Sequence, residues 1–474
     1  MSSPFAALRT PKDVYRYRKQ RGVNLGSWFV LERWITPSPF RNAAAPGQSD
    51  LHIAQGQDAR KNLEEHWGSW INDEDWRWII DHGYNSVRIP VGYYHLCGVD
   101  ASVIQNTDFA PYQNVFEGAW AFIDRAIQTA AKYHIGVLLD LHAAPGAQNP
   151  DAHSGVGNAQ VKIWDGDNAN ATVRALRVLI AEAAKYENVV GIELLNEPND
   201  RDFLPNWYAS TIDSLRSVSA DLPIYIADAW HSEKYIPWAS ARQDFVVVDQ
   251  HLYRCFTEED RRKWGDQHAA EIRDGTARQF KQWSKQARGN FIVGEFSAAL
   301  GGQPPHTDAG EHDRQRRVFA QAELAVFEES CGGWFFWTLK KEEGWDAGWS
   351  LKNATRAEIM PAYVGKRRAR EGMPNDSKRD QVKTDAYNRH VNYWKDKMQN
   401  NEHWRFEMGF LQGWNDGKLF FTFSGETSLS EIGYMGEWLK RRVAEHVSAK
   451  GSSDLVWEYE HGFQQGYATI LGMM

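Results

Sequence analysis

The chain is 474 residues long, 42% hydrophobic and 24% charged, with a formal net charge of −8. That length holds one large barrel with an appendage or two to three ordinary domains, and the acidic balance argues against a nucleic-acid partner. Three cysteines, Cys97, Cys255 and Cys331, do not make a disulfide framework, and no CxxC pair suggests zinc.

Residues 1–22 are polar and basic without an apolar core segment, so no secretory signal is evident and a cytoplasmic protein is expected. No run reaches the length of a membrane helix, so no stable membrane insertion is expected. The 22 tryptophans suit either a packed core or a surface that stacks on the flat C–H faces of sugar rings.

Along the chain, short apolar runs alternate with amphipathic segments. A first strand is expected at Gly22–Leu25, running into Trp28–Leu31. Helices follow at Ala59–Trp70 and Asp73–His82, the second with Asp73 as N-cap. Strand two is read at Ser86–Ile89, ended by Pro90, and strand three at Ile135–Leu141 after a helix over Phe116–Tyr133. A helix at Thr172–Tyr186 leads into strand four, the buried run from Val189 that ends in Asn196, Glu197 and Pro198. Helix Leu204–Ala220, strands Ile224–Ile226 and Phe245–Asp249, helix Ala269–Arg288, strand Phe291–Gly294, helix Arg314–Ser330 and strand Gly333–Trp337 complete the pattern. Buried strands mostly followed by helices predict an α/β fold of the (β/α)8 TIM-barrel type with a C-terminal helical extension. A doubly wound sheet is disfavoured because no GxGxxG or P-loop follows the first strand.

Polar residues fall at the ends of these strands. Arg88 ends strand two, His142 follows strand three, and Asn196 and Glu197 end strand four. His251 and Tyr253 follow strand six, Glu295 ends strand seven and Trp337 ends strand eight. In a barrel all strand C-termini share one rim, where active sites sit.

The barrel is expected over residues 1–355, a charged connection over 356–384 and a helical extension over 385–474. The extension contains a repeat: Trp404–Trp414 matches Trp457–Tyr467, each copy preceded by an amphipathic helix, Asp385–Met398 and Met435–His446. Two related hairpins follow from this, their glycines allowing close helix approach and self-association being one possible use. The basic stretch Lys366–Arg370 reads as a solvated loop.

Two carboxylates across a barrel mouth suit glycoside hydrolysis, in which one protonates the leaving oxygen and the other attacks the anomeric carbon or activates water. Asn196 beside Glu197 could bind a sugar 2-hydroxyl, Arg88 and Tyr253 would keep Glu295 ionised, and Trp337 would floor the sugar. A carbohydrate-binding barrel without catalysis is the alternative from another class. His306, Asp308, Glu311, His312 and Asp313 are ligand-type side chains, but they lie in a Gly/Pro-rich loop without ordered zinc spacing; no metal and no cofactor are expected.

The segments Arg21–Trp28, Ser86–Pro90, Asp140–Gly146, Leu195–Pro198, Asp249–Tyr253, Gly294–Ser297 and Trp334–Trp337 together resemble glycoside hydrolase family 5, most of all the fungal exo-β-1,3-glucanases (glucan 1,3-β-glucosidases) of intracellular type. The resemblance implies a retaining mechanism with Glu197 as acid/base and Glu295 as nucleophile. It implies substrate binding by Glu32, Trp34, Arg88, His142, Asn196, His251, Tyr253, Phe256 and Trp337, with Glu32 holding the non-reducing sugar and making the site exo-acting. The implied substrate is a β-glucoside or β-glucan. The secreted exoglucanases clamp the +1 sugar between two aromatics; here Phe256 matches one, while the loop Gln148–Gly155 holds no aromatic. Small β-glucosides or glucolipids such as glucosylceramide or sterylglucoside are therefore alternative substrates.

Overall fold

The computed structural model describes residues 10–157, 160–302, 308–366, 375–398, 400–423 and 429–474. Eight parallel strands close into a barrel in sequence order: β1 (Gln20–Asn24), β2 (Ser86–Gly92), β3 (Gly136–Ala143), β4 (Val189–Glu193), β5 (Ile224–Ala227), β6 (Val246–Leu252), β7 (Phe291–Phe296) and β8 (Gly333–Phe336). β8 pairs with β1 to complete the ring, with Gly22 opposite Phe335. The helices Ala59–Ser69, Asp73–Asp81, Ala119–Lys132, Asn168–Ala183, Leu204–Arg216, Ser232–Ala241, Ala277–Gln286 and Ala309–Ser330 belong to the same unit. The expected TIM barrel is thus the observed one.

The interior is filled in layers by pairing small with large residues. A Cβ on Gly22 would stand 2.1 Å from the Phe335 ring, so only glycine leaves room for it. Low in the barrel, Gln20 Nε2 donates to Tyr225 Oη at 2.9 Å. Above this layer the filling turns ionic, and the site begins.

Three local expectations are corrected. Pro90 does not end strand two but lies within β2, opposite Asp140 of β3. The Leu25 amide donates to the Arg88 carbonyl, so Arg88 and Pro90 present their backbone groups toward β1. β1 stops at Asn24, hence the missing proline N–H deprives no ladder partner. Trp28–Leu31 does not continue strand one, because Ser27 adopts a left-handed φ of 59° and turns the chain; Ser27 Oγ then accepts the Glu32 amide at 3.0 Å. The helix beginning at Asp73 is capped by Asn72, whose Oδ1 accepts from Glu74 and Asp75 while Asp75 answers to the Asn72 amide.

The barrel unit runs over Gln20–Val364. The 356–364 stretch, expected to be connection, ends on the barrel: Ile359 and Met360 are fully buried, and the Val364 amide donates to the His82 carbonyl. The described residues before Gln20 and after Val364 form the second unit.

In that unit the helices are Pro11–Tyr17, Asp376–Trp394, His403–Phe423, Met435–Lys450 and Trp457–Leu471. The helix expected from Asp385 starts at Asp376, where Asn375 accepts the Lys378 amide as N-cap. Residues 10–19 join this unit rather than the barrel: Val14 packs in its core, Arg18 bridges to Ile432, and Arg441 pairs with Asp13 at 2.6 Å. Residues 367–370 of the basic stretch lie outside the described residues, and Lys366 pairs with Glu431 at 3.0 Å.

The repeat sits on the helices 403–423 and 457–471, which cross with approximate two-fold symmetry. A Cβ on Gly409 would meet the Tyr459 carbonyl oxygen at 2.0 Å, and one on its repeat equivalent Gly462 would meet that of Phe406 at 2.0 Å. Gly413 and Gly466 repeat the relation against Phe463 and Phe410, both at 2.0 Å. His390 stacks on Phe406 at 4.1 Å, and His446 stacks on Tyr459, the residue equivalent to Phe406, at the same 4.1 Å. The two halves differ in charge: Glu458 faces His390, whereas Arg405, at the equivalent position, faces His446.

Candidate active site

Arg88 is the hub. Inside the barrel and fully buried, it donates through Nε to Glu193 Oε2 at 2.8 Å and through Nη1 to Glu295 Oε1 at 2.9 Å and Asn24 Oδ1 at 3.1 Å. Its Nη2 reaches Asn196 Oδ1 at 2.8 Å and Asp140 Oδ2 at 3.1 Å. One guanidinium therefore ties groups from four other strands or their ends to β2, a use that needs the planar fork of arginine. Burial works against its charge, but Asp140, Glu193, Glu295 and Asp249 hold it well above its usual range.

Glu295, in β7, receives a second donor: Tyr253 Oη at 2.7 Å from Oε2. Burial raises its carboxyl above the usual value, while His251, Arg88 and the tyrosine oppose that rise. Tyr253 itself is pushed well up by burial and by the facing carboxylates, so it stays a donor. Gly294, next to Glu295, donates its amide to Asp249 Oδ1 at 2.5 Å, and a Cβ there would lie 1.8 Å from Asp249 Oδ2. Glycine is thus required for β6 and β7 to bring His251 and Glu295 side by side.

Glu197 lies just beyond β4 with a left-handed φ of 44°. His251 Nδ1 is 2.7 Å from its Oε1, and His153 Nε2 is 3.4 Å from its Oε2. Burial would raise this carboxyl, but the hydrogen bond and charge of His251, with His153 and His142, bring it down to about 2. One oxygen of Glu197, one of Glu295 and a nitrogen of His251 all lie within 4.8 Å of one another. The imidazolium of His251, held well above its usual range chiefly by Glu295, Asp249 and Glu197 against burial, lets two carboxylates stand so close.

A cavity of about 890 Å³ opens over this pair. Its lining includes Glu32, Trp34, His142, Asn196, Phe256 and Trp337, so every residue expected at the site except Arg88 faces it, and Arg88 supports it from below. His142 donates to Asp140 Oδ2 at 2.6 Å and stacks parallel to Trp337 at 5.7 Å. Glu32 accepts from Trp34 Nε1 at 2.8 Å, and burial pushes its carboxyl up to about 7. Trp349 joins the wall, 5.4 Å from both the Trp34 and Tyr253 rings. At the mouth Trp230 and Phe256 are 54% and 60% exposed.

His153, Trp230, Trp349 and the buried carboxylates Asp140, Glu193 and Asp249 were not among the expected site residues. The carboxylates carry a readable signal: Asp140 and Asp249 stand two residues before His142 and His251, hence on the same strand face. The loop groups carry none, since only tertiary packing brings them over the mouth. Of the ligand-type cluster near 306–313, His306 lies outside the described residues; Asp308 caps the following helix and Glu311 pairs with Arg314 at 2.7 Å.

An (β/α)8 barrel with paired rim carboxylates over a sugar-sized cavity defines a glycoside hydrolase. Residues 53–343 match the cellulase family (glycosyl hydrolase family 5), and residues 375–474 match the glucan 1,3-beta-glucosidase 3 C-terminal domain. The chain belongs to glycoside hydrolase family 5 and is glucan 1,3-β-glucosidase 3-like. It is 32% identical over 470 residues to glucan 1,3-beta-glucosidase 3 of Schizosaccharomyces pombe, covering 96% of each chain. An uncharacterized glycosyl hydrolase of Saccharomyces cerevisiae is 30% identical, covering 98% of this chain and 94% of the relative. A glucan 1,3-beta-glucosidase of Schwanniomyces occidentalis is 30% identical over 73% of this chain and 88% of its own. Among solved structures, rutinosidase from Aspergillus niger superposes with a TM-score of 0.57 at 17% identity, covering 71% of this chain and 94% of its own, a likeness of fold.

Proposed function

We propose that the chain is a retaining, exo-acting β-glucosidase that removes glucose from the non-reducing end of β-1,3-linked glucans and related β-glucosides. The observation that carries this reading is the approach of Glu197 and Glu295 to within 4.8 Å. Retaining enzymes hold their carboxyls about 5–5.5 Å apart, whereas inverting ones need roughly 6.5–9.5 Å to admit a water. Glu295 attacks the anomeric carbon, its charge supported by Arg88 and Tyr253. Glu197 protonates the departing oxygen and later activates water. Asn196, fixed by Arg88, meets the 2-hydroxyl, and Glu32 with Trp34 binds the non-reducing sugar.

The test is the anomer formed first. Proton NMR of an aryl β-glucoside digest should show β-glucose ahead of mutarotation, and initial α-glucose would overturn the mechanism. Glu295→Gln should remove several orders of magnitude of turnover while the protein stays folded; retained turnover would overturn the nucleophile assignment. The open aromatic pair Trp230 and Phe256 favours a second reading, an apolar aglycone such as a glucolipid. Comparing kcat/KM for laminari-oligosaccharides and glucosylceramide on one preparation separates the two.

A further inference from the structure

His153 lies in the short turn Ala152–Ser154 after β3 and faces the cavity. Its Nε2 has two neighbours of opposite kind. Glu197 Oε2, at 3.4 Å, can only accept when ionised; Asn149 Nδ2, at 3.2 Å, can only donate. The same amide group donates its other hydrogen to the Glu197 carbonyl at 3.0 Å, which fixes its orientation. One nitrogen therefore finds a partner in each protonation state, toward Glu197 when it carries a proton and from Asn149 when it does not. The charged groups around it are Glu32 from the loop after β1, Asp151 from its own loop, Glu197 beyond β4 and Glu295 of β7. His142 and Asp140 of β3, His251 of β6 and Arg88 of β2 complete the surroundings. Burial disfavours the imidazolium, but the four carboxylates outweigh it and raise His153 above its usual range.

We propose that His153 stores the proton that Glu197 delivers to the departing oxygen, acting as a positioning residue through Glu197. The proposal rests on Glu197 being the acid/base. In the first step the glycosidic C1–O bond breaks and Glu295 forms a C1–O ester. Glu197 Oε2, ionised at rest, takes a proton from His153 Nε2 and passes it to the leaving oxygen, so that it ends the step a carboxylate again while the freed Nε2 lone pair accepts from Asn149. In the second step water attacks C1, the ester bond breaks, and the water's proton returns through Glu197 to His153. Glu197 remains a carboxylate at rest, in keeping with its pairing to His251.

The experiment compares His153→Asn and His153→Gln with the unsubstituted enzyme on β-glucosides of graded leaving-group acidity. Both variants should lose turnover most on phenyl and alkyl glucosides, on the order of 10²-fold further than on a dinitrophenyl glucoside, which leaves without protonation. The basic limb of kcat/KM against pH should move to lower pH, because the proton must then reside on Glu197 itself. An equal loss for every leaving group with an unmoved limb would overturn the proposal. Should both substitutions prevent folding, ring-nitrogen NMR of the unsubstituted enzyme decides: a neutral His153 at the pH of maximal kcat/KM overturns the idea, and a cationic one supports it. Glu197→Ala with added azide separates this from the parent reading. Formation of β-glucosyl azide upholds Glu197 as acid/base, so that a flat His153 series then removes only the storage role, whereas failure of azide rescue removes both.

Discussion

Arg88 Nη1 donates to Glu295 Oε1 at 2.9 Å across the floor of the cavity, and both side chains are buried. The same guanidinium also binds one oxygen each of Glu193, Asn24, Asn196 and Asp140. Removing the cation strands several buried carboxylates, so Arg88→Met should cost about 3–5 kcal/mol in denaturant unfolding. Arg88→Lys keeps the charge but not the fork. It should fold yet lose on the order of 10²-fold in kcat, because Glu295 and Asn196 are no longer aimed together. An equal kcat for Arg88→Lys would show that charge alone suffices.

Tyr253 contributes one hydrogen bond to Glu295 that favours its ionised form. Tyr253→Phe removes that donor, so the Glu295 carboxyl should rise further. The acid limb of kcat/KM should therefore move to higher pH, while maximal kcat falls about tenfold, equivalent to roughly 1.4 kcal/mol for a hydrogen bond to a charged group. A pH–rate series on one aryl glucoside reads both effects, and an unmoved acid limb would detach Tyr253 from Glu295's ionisation.

The barrel was readable because most strands are apolar runs with polar residues at or near their C-terminal ends, among them His142, Glu197, His251 and Glu295, whereas Arg88, expected at the end of strand two, stands in the middle of β2. What sequence periodicity hid was vertical. Asp140 and Asp249 share strand faces with His142 and His251, yet taking each strand as an apolar run with a polar tip treats everything below the tip as filler. Pro90 misled because a proline stops a strand only where the neighbour on its N–H side needs that donor, and β1 ends too early to need it. His153 could not be placed at all, since its approach to Glu197 depends on how the loop after β3 folds back across β4.

Asp50 gives a stability prediction with a definite sign. It is fully buried, accepts the Leu31 amide at 3.1 Å, and burial pushes its carboxyl up to about 7 from 3.8. A folded-state value above the unfolded one means the native protein binds more protons between these limits. The contribution of this group is therefore full below about pH 4 and is lost as pH rises toward about 7. Asp50→Asn keeps an acceptor for Leu31 and does not titrate. Its melting temperature should match the unsubstituted protein near pH 4 and exceed it above neutrality, by up to about 4 kcal/mol of stability. A difference independent of pH would show that folding leaves the proton affinity of Asp50 unchanged.

The glycine crossing in the C-terminal unit sets the last prediction. Gly409 and Gly462 each face a carbonyl oxygen of the other helix at a distance where a methyl group would stand 2.0 Å away. The obstacle is backbone on a packed helix, so the clash cannot be relieved by rotating a side chain. Gly409→Ala must drive the two helices apart and loosen Phe406, Phe410 and Phe463, all fully buried between them. Overpacking of this kind costs about 1–3 kcal/mol, and more where backbone must move. The approximate two-fold relation makes a sharper demand: Gly462→Ala should cost a similar amount, and the double substitution less than the sum, because one separation of the helices relieves both clashes. Gly275→Ala, where nothing lies within 4 Å of the added carbon, serves as the control and should be neutral or slightly stabilising. Denaturant unfolding of the four variants measures all of this. Strict additivity would mean that the two contacts yield independently and that the crossing does not move as a unit.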